Sequence, residues 1–343
     1  MMDFLFQYGL FLAKAATVVA AIGLVAMLLA NLLHQMRGQA VDHLQVRNLN
    51  HRFRDLADSL KHALFTPAEW KKQVKAHKAQ DKAGAKSPVK RKRIYVLDFH
   101  GDIQASATGS LREEISGLLQ VAGEGDEVLL RLESEGGVVH GYGLAASQLR
   151  RIRERGIRLT VAVDKVAASG GYLMACVADR ILAAPFAILG SIGVVGQLPN
   201  FNRLLKKHDV DFELHTAGEY KRTLTLFGEN TEAGREHFRK SLDEAHALFK
   251  GFIAQNRPQV AIEEVATGDH WFGTRALELK LVDELKTSDD FLLERAKDCD
   301  LCELRFRRHR SLRERVAGSL AGALSRRATF FDPGASLFDT RKY

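Results

Sequence analysis

The sequence predicts an α/β domain built on a mostly parallel sheet, carried behind an N-terminal transmembrane helix. Three observations predict it: an uncharged apolar run at residues 15–33, short apolar strands alternating with helix-period segments from residue 94 onward, and glycine turns where those strands end. With 343 residues, 46% hydrophobic and 27% charged, the composition is that of a globular chain rather than a disordered one.

The first element is the apolar run. Residues 15–33 hold no charge over 19 positions, and only Thr17 and Asn31 are polar. As a helix this run spans roughly 28 Å, close to the thickness of a bilayer's hydrocarbon core. A cleaved signal peptide is the alternative, but the run is too long and no small-x-small cleavage site closes it, so residues 1–36 are read as a retained anchor. Leu44, Leu49, Phe53, Leu56, Leu60 and Leu64 then suggest an amphipathic juxtamembrane helix. A Lys-rich linker follows and ends at Arg93, making 37–93 the connecting region. The net charge of +8 is concentrated here: residues 71–93 carry ten Lys/Arg and one Asp, which leaves the rest of the chain near −1. That distribution favours a tether beside anionic lipid and argues against a nucleic-acid-binding face.

At Ile94 the pattern becomes that of a buried strand, 94–99, with a turn at Gly101. Ser110 and Glu113 have capping-box spacing before a helix carrying Leu111, Ile115, Leu118 and Leu119. Strands at 128–132 and 159–163 bracket a helix at 142–154, and a further strand is expected at 211–215. A long helix at 232–255 follows, with Phe238, Leu242, Leu248 and Phe252 in its apolar stripe. The main α/β domain is placed at 94–300 and a basic tail, with the pattern of an amphipathic surface helix from Arg305, at 301–343. The three cysteines, Cys176, Cys299 and Cys302, set no disulfide framework, and Cys299-x-x-Cys302 lacks the second pair a zinc site needs. With neither a metal-ligand cluster nor a phosphate-binding loop in the sequence, no cofactor is implied.

Two glycine turns could carry chemistry. Ser169, in Ala168-Ser169-Gly170-Gly171, follows a strand and opens an apolar helix, where free backbone N–H groups favour developing negative charge. By itself the same pattern serves as a plain helix cap. Gly136-Gly137 ends the 128–132 strand, and in a parallel sheet the carboxyl ends of strands line the ligand crevice.

The segments Leu97-Asp98-Phe99, Gly136-Gly137, Ala168-Ser169-Gly170-Gly171-Tyr172, Gly190-Ser191-Ile192-Gly193-Val194 and Gly218-Glu219-Tyr220-Lys221-Arg222 occur in one order. That series, over about residues 94–285, resembles the signal peptide peptidase A family (peptidase family S49), closest to its SohB branch of inner-membrane peptidases. The resemblance implies a crotonase/Clp-like fold of repeated β-β-α units, association into a homo-oligomeric ring, and a Ser/Lys dyad of Ser169 and Lys221. It also implies a single-pass protein of the bacterial inner membrane. Two positions depart from the family pattern: Glu135 stands where Pro commonly precedes the paired glycines, and Lys280 where Gly often precedes Leu-Val-Asp.

A lysine serves as general base only when its amine is neutral, so Lys221 needs desolvation or nearby positive charge. Ser191 is the candidate to orient that amine, and the oxyanion would sit between the Gly170 N–H and a donor from Gly136 or Gly137. His100 and His140 lie near strand ends, but no His/Asp pair has motif support, which leaves a Ser/His/Asp mechanism as the enzymatic runner-up. The function expected is hydrolysis of hydrophobic peptides or membrane-protein fragments beside the lipid bilayer. An acyl-CoA-binding crotonase-like protein and an inactive membrane scaffold are the competing classes. Arg37, Arg47, Arg52 and Arg54 after the span favour a cytoplasmic domain by the positive-inside rule, whereas the family resemblance favours a periplasmic one, which is the expectation adopted.

Overall fold

The computed structural model describes residues 2–38, 42–66, 68–71, 75, 91–218 and 220–307. Most of the Lys-rich linker, Glu219 and the tail from residue 308 lie outside the described residues. Leu44–Phe306 form one compact unit, and the N-terminal helix belongs to another.

That helix, α1 (Met2–Gly38), contains a span from Gln7 to Leu28 of mean hydropathy 2.2, long and apolar enough to cross a membrane. The hydroxyl of Thr17 donates to the Ala13 carbonyl at 2.7 Å, so this polar group is satisfied within the helix itself.

The larger unit is α/β. Its elements begin with β1 (His43–Asn48), α2 (Leu49–Leu64), β2 (Arg93–His100), α3 (Thr108–Leu118), β3 (Glu127–Glu133), α4 (Val139–Glu154) and β4 (Arg158–Val163). They continue through β5 (Val166–Ala168), α5 (Gly170–Ala175), β6 (Arg180–Ala183), β7 (Ile188–Gly190), α6 (Asn202–Lys207) and α7 (Glu232–Asn256). The last are α8 (Ile262–Val265), β8 (His270–Phe272), α9 (Gly273–Glu278), β9 (Glu284–Leu285), α10 (Ser288–Arg295) and β10 (Asp300–Arg307). A seven-stranded sheet has the order β1-β10-β2-β3-β4-β6-β9, with every pair from β10 to β9 parallel. A second sheet, β5-β7-β8, pairs β5 with β7 in parallel and β7 with β8 antiparallel. The succession β4, β5, α5 is a strand–strand–helix unit of the expected kind.

Burial on both faces of the large sheet explains why β2 is almost continuously apolar. Tyr95, Leu97 and Phe99 enter one core with Leu111 and Ile115 of α3 and Leu149 and Ile152 of α4. Ile94 and Val96 enter a second core with Leu49 of α2 and Phe291 and Leu292 of α10. The juxtamembrane α2 is therefore part of the fold. Its Asn50 amide donates to the carbonyls of Ala296 and Cys299 and its oxygen accepts the Leu301 N–H, bracing α2 against the start of β10.

Four expectations change. The stretch to Leu64 is not one helix: Leu44 lies in β1, and the Asn48 side chain caps a helix starting at Leu49 by accepting the His51 N–H. Ser110 is not an N-cap, because α3 starts a turn earlier behind Ala107 and has no side-chain cap. Residues 211–215 form no strand: Val210, Phe212 and Leu214 alternate as a strand would, yet stay exposed and, among the described residues, have no neighbouring strand to pair with. Arg305 and Arg307 fall in β10, so the sheet continues past residue 300 before the tail begins.

Lys280 occupies a left-handed position, φ 60°, at the end of α9, which glycine adopts without steric cost. Lys280→Gly is expected to raise stability by about 1 kcal/mol, read as a higher denaturation midpoint at unchanged slope. An unchanged midpoint would show that the backbone there is unstrained.

Glu114 of α3 is buried and accepts the Phe306 N–H at 2.7 Å. Burial pushes its carboxyl up to about 7, with Asp98 adding to the rise and the Phe306 N–H and Arg305 opposing it. A group raised in the folded state contributes stability fully present below its unfolded pKa and lost as pH rises through the folded value. Unfolding free energy should therefore fall between about pH 4.5 and about pH 7, by up to about 3 kcal/mol from this group. Glu114→Gln should flatten that slope in denaturation curves taken across the range; an unaltered slope would remove Glu114 as its source.

Candidate active site

Strand register brings distant residues together. β5 and β7 run parallel with Ala168 opposite Gly190, so the residues that follow, Ser169 and Ser191, leave the same end of neighbouring strands. The Ser169 N–H donates to the Gly190 carbonyl at 2.8 Å. The end of β3 joins them through a bridge between Ser134 and Ala167, which carries the Gly136-Gly137 turn to the same place.

Ser169 has φ 50° and ψ −118°, a conformation that costs a non-glycine residue about 1–2 kcal/mol. It is held by its N–H bond to Gly190 and by its carbonyl accepting the Leu173 N–H within α5. The residue is half-buried at the junction between β5 and α5. Ser191 is likewise at positive φ, 49°, with its N–H on the Asp269 carbonyl at 2.6 Å.

The glycine turn packs directly on this junction. A Cβ on Gly136, whose φ is 98°, would lie 2.7 Å from the Ser169 Cβ and 2.9 Å from the Gly170 nitrogen. Only glycine permits that approach. The Gly136 N–H is already engaged by the Ser134 hydroxyl at 3.1 Å. Among the described residues, the N–H groups of Gly137 and Gly170 make no hydrogen bond to the protein, which leaves them available to an oxyanion. Two open donors, one in the turn after β3 and one at the start of α5, thus belong to the segments that meet at this serine.

Ser134 and Tyr142 were not singled out by the sequence. Their hydroxyls lie 2.6 Å apart, and the Tyr142 hydroxyl donates to the Asp102 carbonyl at 2.8 Å. Burial raises the Tyr142 pKa while the Ser134 hydrogen bond opposes it, keeping the phenol protonated at neutral pH. Ser134 belongs to the Gly136-Gly137 turn and Tyr142 to a predicted helix; what the sequence lacked was the register that makes them meet.

Lys221 stands apart. It is exposed, its N–H donates to the Gly218 carbonyl at 3.2 Å, and among the described residues its amine makes no hydrogen bond or ion pair, with Ser169 or any other group. Tyr220 before it stacks on His237 of α7 with ring centroids 4.1 Å apart, which docks this turn on the long helix. Around Lys221 in sequence, Leu198, Phe201, Phe212, Leu214 and Phe227 are exposed apolar side chains. His100 pairs with Glu133 at 3.8 Å on the surface, and His140 is exposed. Cys299 and Cys302 are free thiols at the start of β10.

Residues 3–149 match the family described as Peptidase family S49 N-terminal, and residues 151–301 match Peptidase family S49. A probable protease SohB of Haemophilus influenzae is 50% identical over 322 residues, covering 90% of this chain and 91% of its own. A probable protease SohB of Buchnera aphidicola subsp. Acyrthosiphon pisum is 60% identical over 235 residues, covering 68% of this chain and 70% of its own. Among solved structures, a mutant 1510-N membrane-bound stomatin-specific protease in complex with a substrate peptide aligns at a TM-score of 0.41 and 13% identity, over 68% of this chain and 99% of that one. With both halves of the chain matched and a relative sharing half its residues along almost the whole length, the protein belongs to peptidase family S49.

Proposed function

We propose that this chain is a membrane-anchored serine endopeptidase in which Ser169 is the nucleophile and Lys221 the general base. The observation that carries the reading is Ser169 itself, held at φ 50° on a strand-to-helix turn beside the open N–H groups of Gly170 and Gly137. Neutral Lys221 takes the Ser169 proton as the oxygen attacks the substrate carbonyl. The oxyanion is received by the Gly137 and Gly170 N–H groups, and protonated Lys221 returns its proton to the leaving amine. The same amine then activates the water that hydrolyses the acyl-enzyme. Ser191, next to Ser169 through the β5-β7 pairing, is the candidate to orient the lysine.

An exposed amine is not a base at neutral pH, so Lys221 has to be buried by something outside the single chain. A second copy is the covering surface proposed, seated on the apolar residues around Lys221, so that a homo-oligomeric ring completes each site. With α1 as a single inner-membrane span and the domain on the periplasmic side, the substrates are hydrophobic peptides and membrane-protein fragments near the bilayer. Labelling the full-length protein in detergent with a serine-directed phosphonate, followed by mapping of the modified residue, tests the reading. Modification at Ser169 supports it, and modification elsewhere overturns it.

A further inference from the structure

The turn that supplies Gly137 is held by a chain of hydrogen bonds whose direction can be worked out. Tyr142 has one hydroxyl proton, and it is donated to the Asp102 carbonyl. The 2.6 Å contact between Ser134 and Tyr142 must therefore use the proton of Ser134, with the phenol oxygen accepting. That leaves the lone pairs of Ser134 to accept the Gly136 N–H at 3.1 Å. The sequence runs from the Gly136 N–H through Ser134 and Tyr142 to the Asp102 carbonyl, with every proton assigned and each bond polarising the next.

The same tyrosine supports the other donor. A Cβ on Gly170 would lie 2.4 Å from Tyr142 Cγ and 2.7 Å from its Cδ2, so the ring lies directly against the backbone of Gly170. Tyr142 is fully buried, and its ring meets Phe99 edge-on at 6.4 Å. One side chain thus touches Gly170 with its ring and reaches Gly136 through its hydroxyl and Ser134. The Gly136 N–H is tied to Ser134, whereas the Gly137 N–H that follows it makes no hydrogen bond within that network. The Val138 N–H on the Ile103 carbonyl at 2.8 Å fixes the far side of the turn.

We infer that Tyr142 and Ser134 are positioning residues for the oxyanion site, setting the spacing of the Gly137 and Gly170 donors without touching substrate. This rests on the reading of Ser169 as nucleophile. Its consequence is specific to the transition state: a donor displaced from the oxyanion weakens binding of the tetrahedral species while leaving binding of the ground-state peptide alone. A purely structural role predicts lower thermal stability with unchanged turnover.

The test uses full-length protein in detergent, a fluorogenic hydrophobic peptide and a serine-directed phosphonate, whose tetrahedral adduct places an oxygen in the same site. Tyr142→Phe removes only the hydroxyl, and Ser134→Ala is the milder variant should the first not fold. Each is expected to lower kcat by about ten- to a hundredfold with KM within about twofold, and to slow phosphonate labelling by the same factor. Because both act through one chain, the double variant should lose about as much as either single one. Full kcat in both single variants, or losses that multiply in the double variant, would overturn the inference. Ser169→Ala run alongside separates the two readings: if it abolishes labelling while Ser134→Ala and Tyr142→Phe keep full turnover, only the positioning role fails. If Ser169→Ala remains active, the nucleophile assignment falls and takes this inference with it.

Discussion

Ser169→Ala should abolish peptide hydrolysis, lowering kcat by about 10⁴-fold or more, and should eliminate phosphonate labelling. The change removes the attacking oxygen and nothing the fold depends on. Alanine keeps the same Cβ, so the backbone cost of φ 50° is unaltered, and the bonds that hold the turn use the main chain of Ser169 rather than its hydroxyl. Thermal denaturation should accordingly stay within about 1 °C of wild type, since surface-like changes of this kind move stability by roughly 0.5 kcal/mol or less. The informative measurement is the pair: activity lost, melting temperature kept. Peptidase activity that survives in Ser169→Ala, with labelling moved to another serine, would sink the assignment.

Lys221 carries the second large effect. Lys221→Arg is expected to be inactive at every accessible pH, because a guanidinium cannot give up its proton in this range, whereas wild-type activity should rise with pH as the amine is deprotonated. A profile that instead follows a histidine, or recovery of the arginine variant at moderately alkaline pH, would count against Lys221 as base. The exposure of Lys221 in the single chain makes a further demand, that assembly provides the burial. Mixing Ser169→Ala with Lys221→Ala subunits in one detergent preparation should then restore activity. With random assembly about a quarter of shared sites pair an intact serine from one subunit with an intact lysine from another. If subunits exchange, shown by mixed oligomers carrying two different tags, and no activity returns, each site must be complete within one chain.

The N-terminal helix, the strands β2, β3 and β4, and the long α7 were legible in the sequence for one reason. Each depends on a local pattern of apolar residues that burial imposes on any chain: a continuous run in β2, whose two faces are both covered, and a helical stripe in α7. Ser169 and the Gly136-Gly137 turn were legible because sharp turns at strand ends need small residues, and small residues there leave a mark. The strand expected at 211–215 shows the limit of this logic. Alternation of Val210, Phe212 and Leu214 states that one side of the segment is apolar, but only a neighbouring strand can make it a strand, and among the described residues none is there.

What the sequence determined by itself was therefore the N-terminal helix, the elements from β2 to β4, the long α7 and the residue types able to do acyl-transfer chemistry. Tertiary structure decided which of them meet. Register between β5 and β7 set Ser169 beside Ser191, and the bridge from Ser134 to Ala167 laid the glycine turn against Ser169. It also decided that the Gly136 N–H is spent on Ser134, leaving Gly137 as the open donor, and that Tyr142, eight residues from Ser134 in the chain and 28 from Gly170, touches one and bonds the other. Contacts of that kind arise from how strands and helices stack, a long-range packing outcome with no local periodicity for a sequence to display.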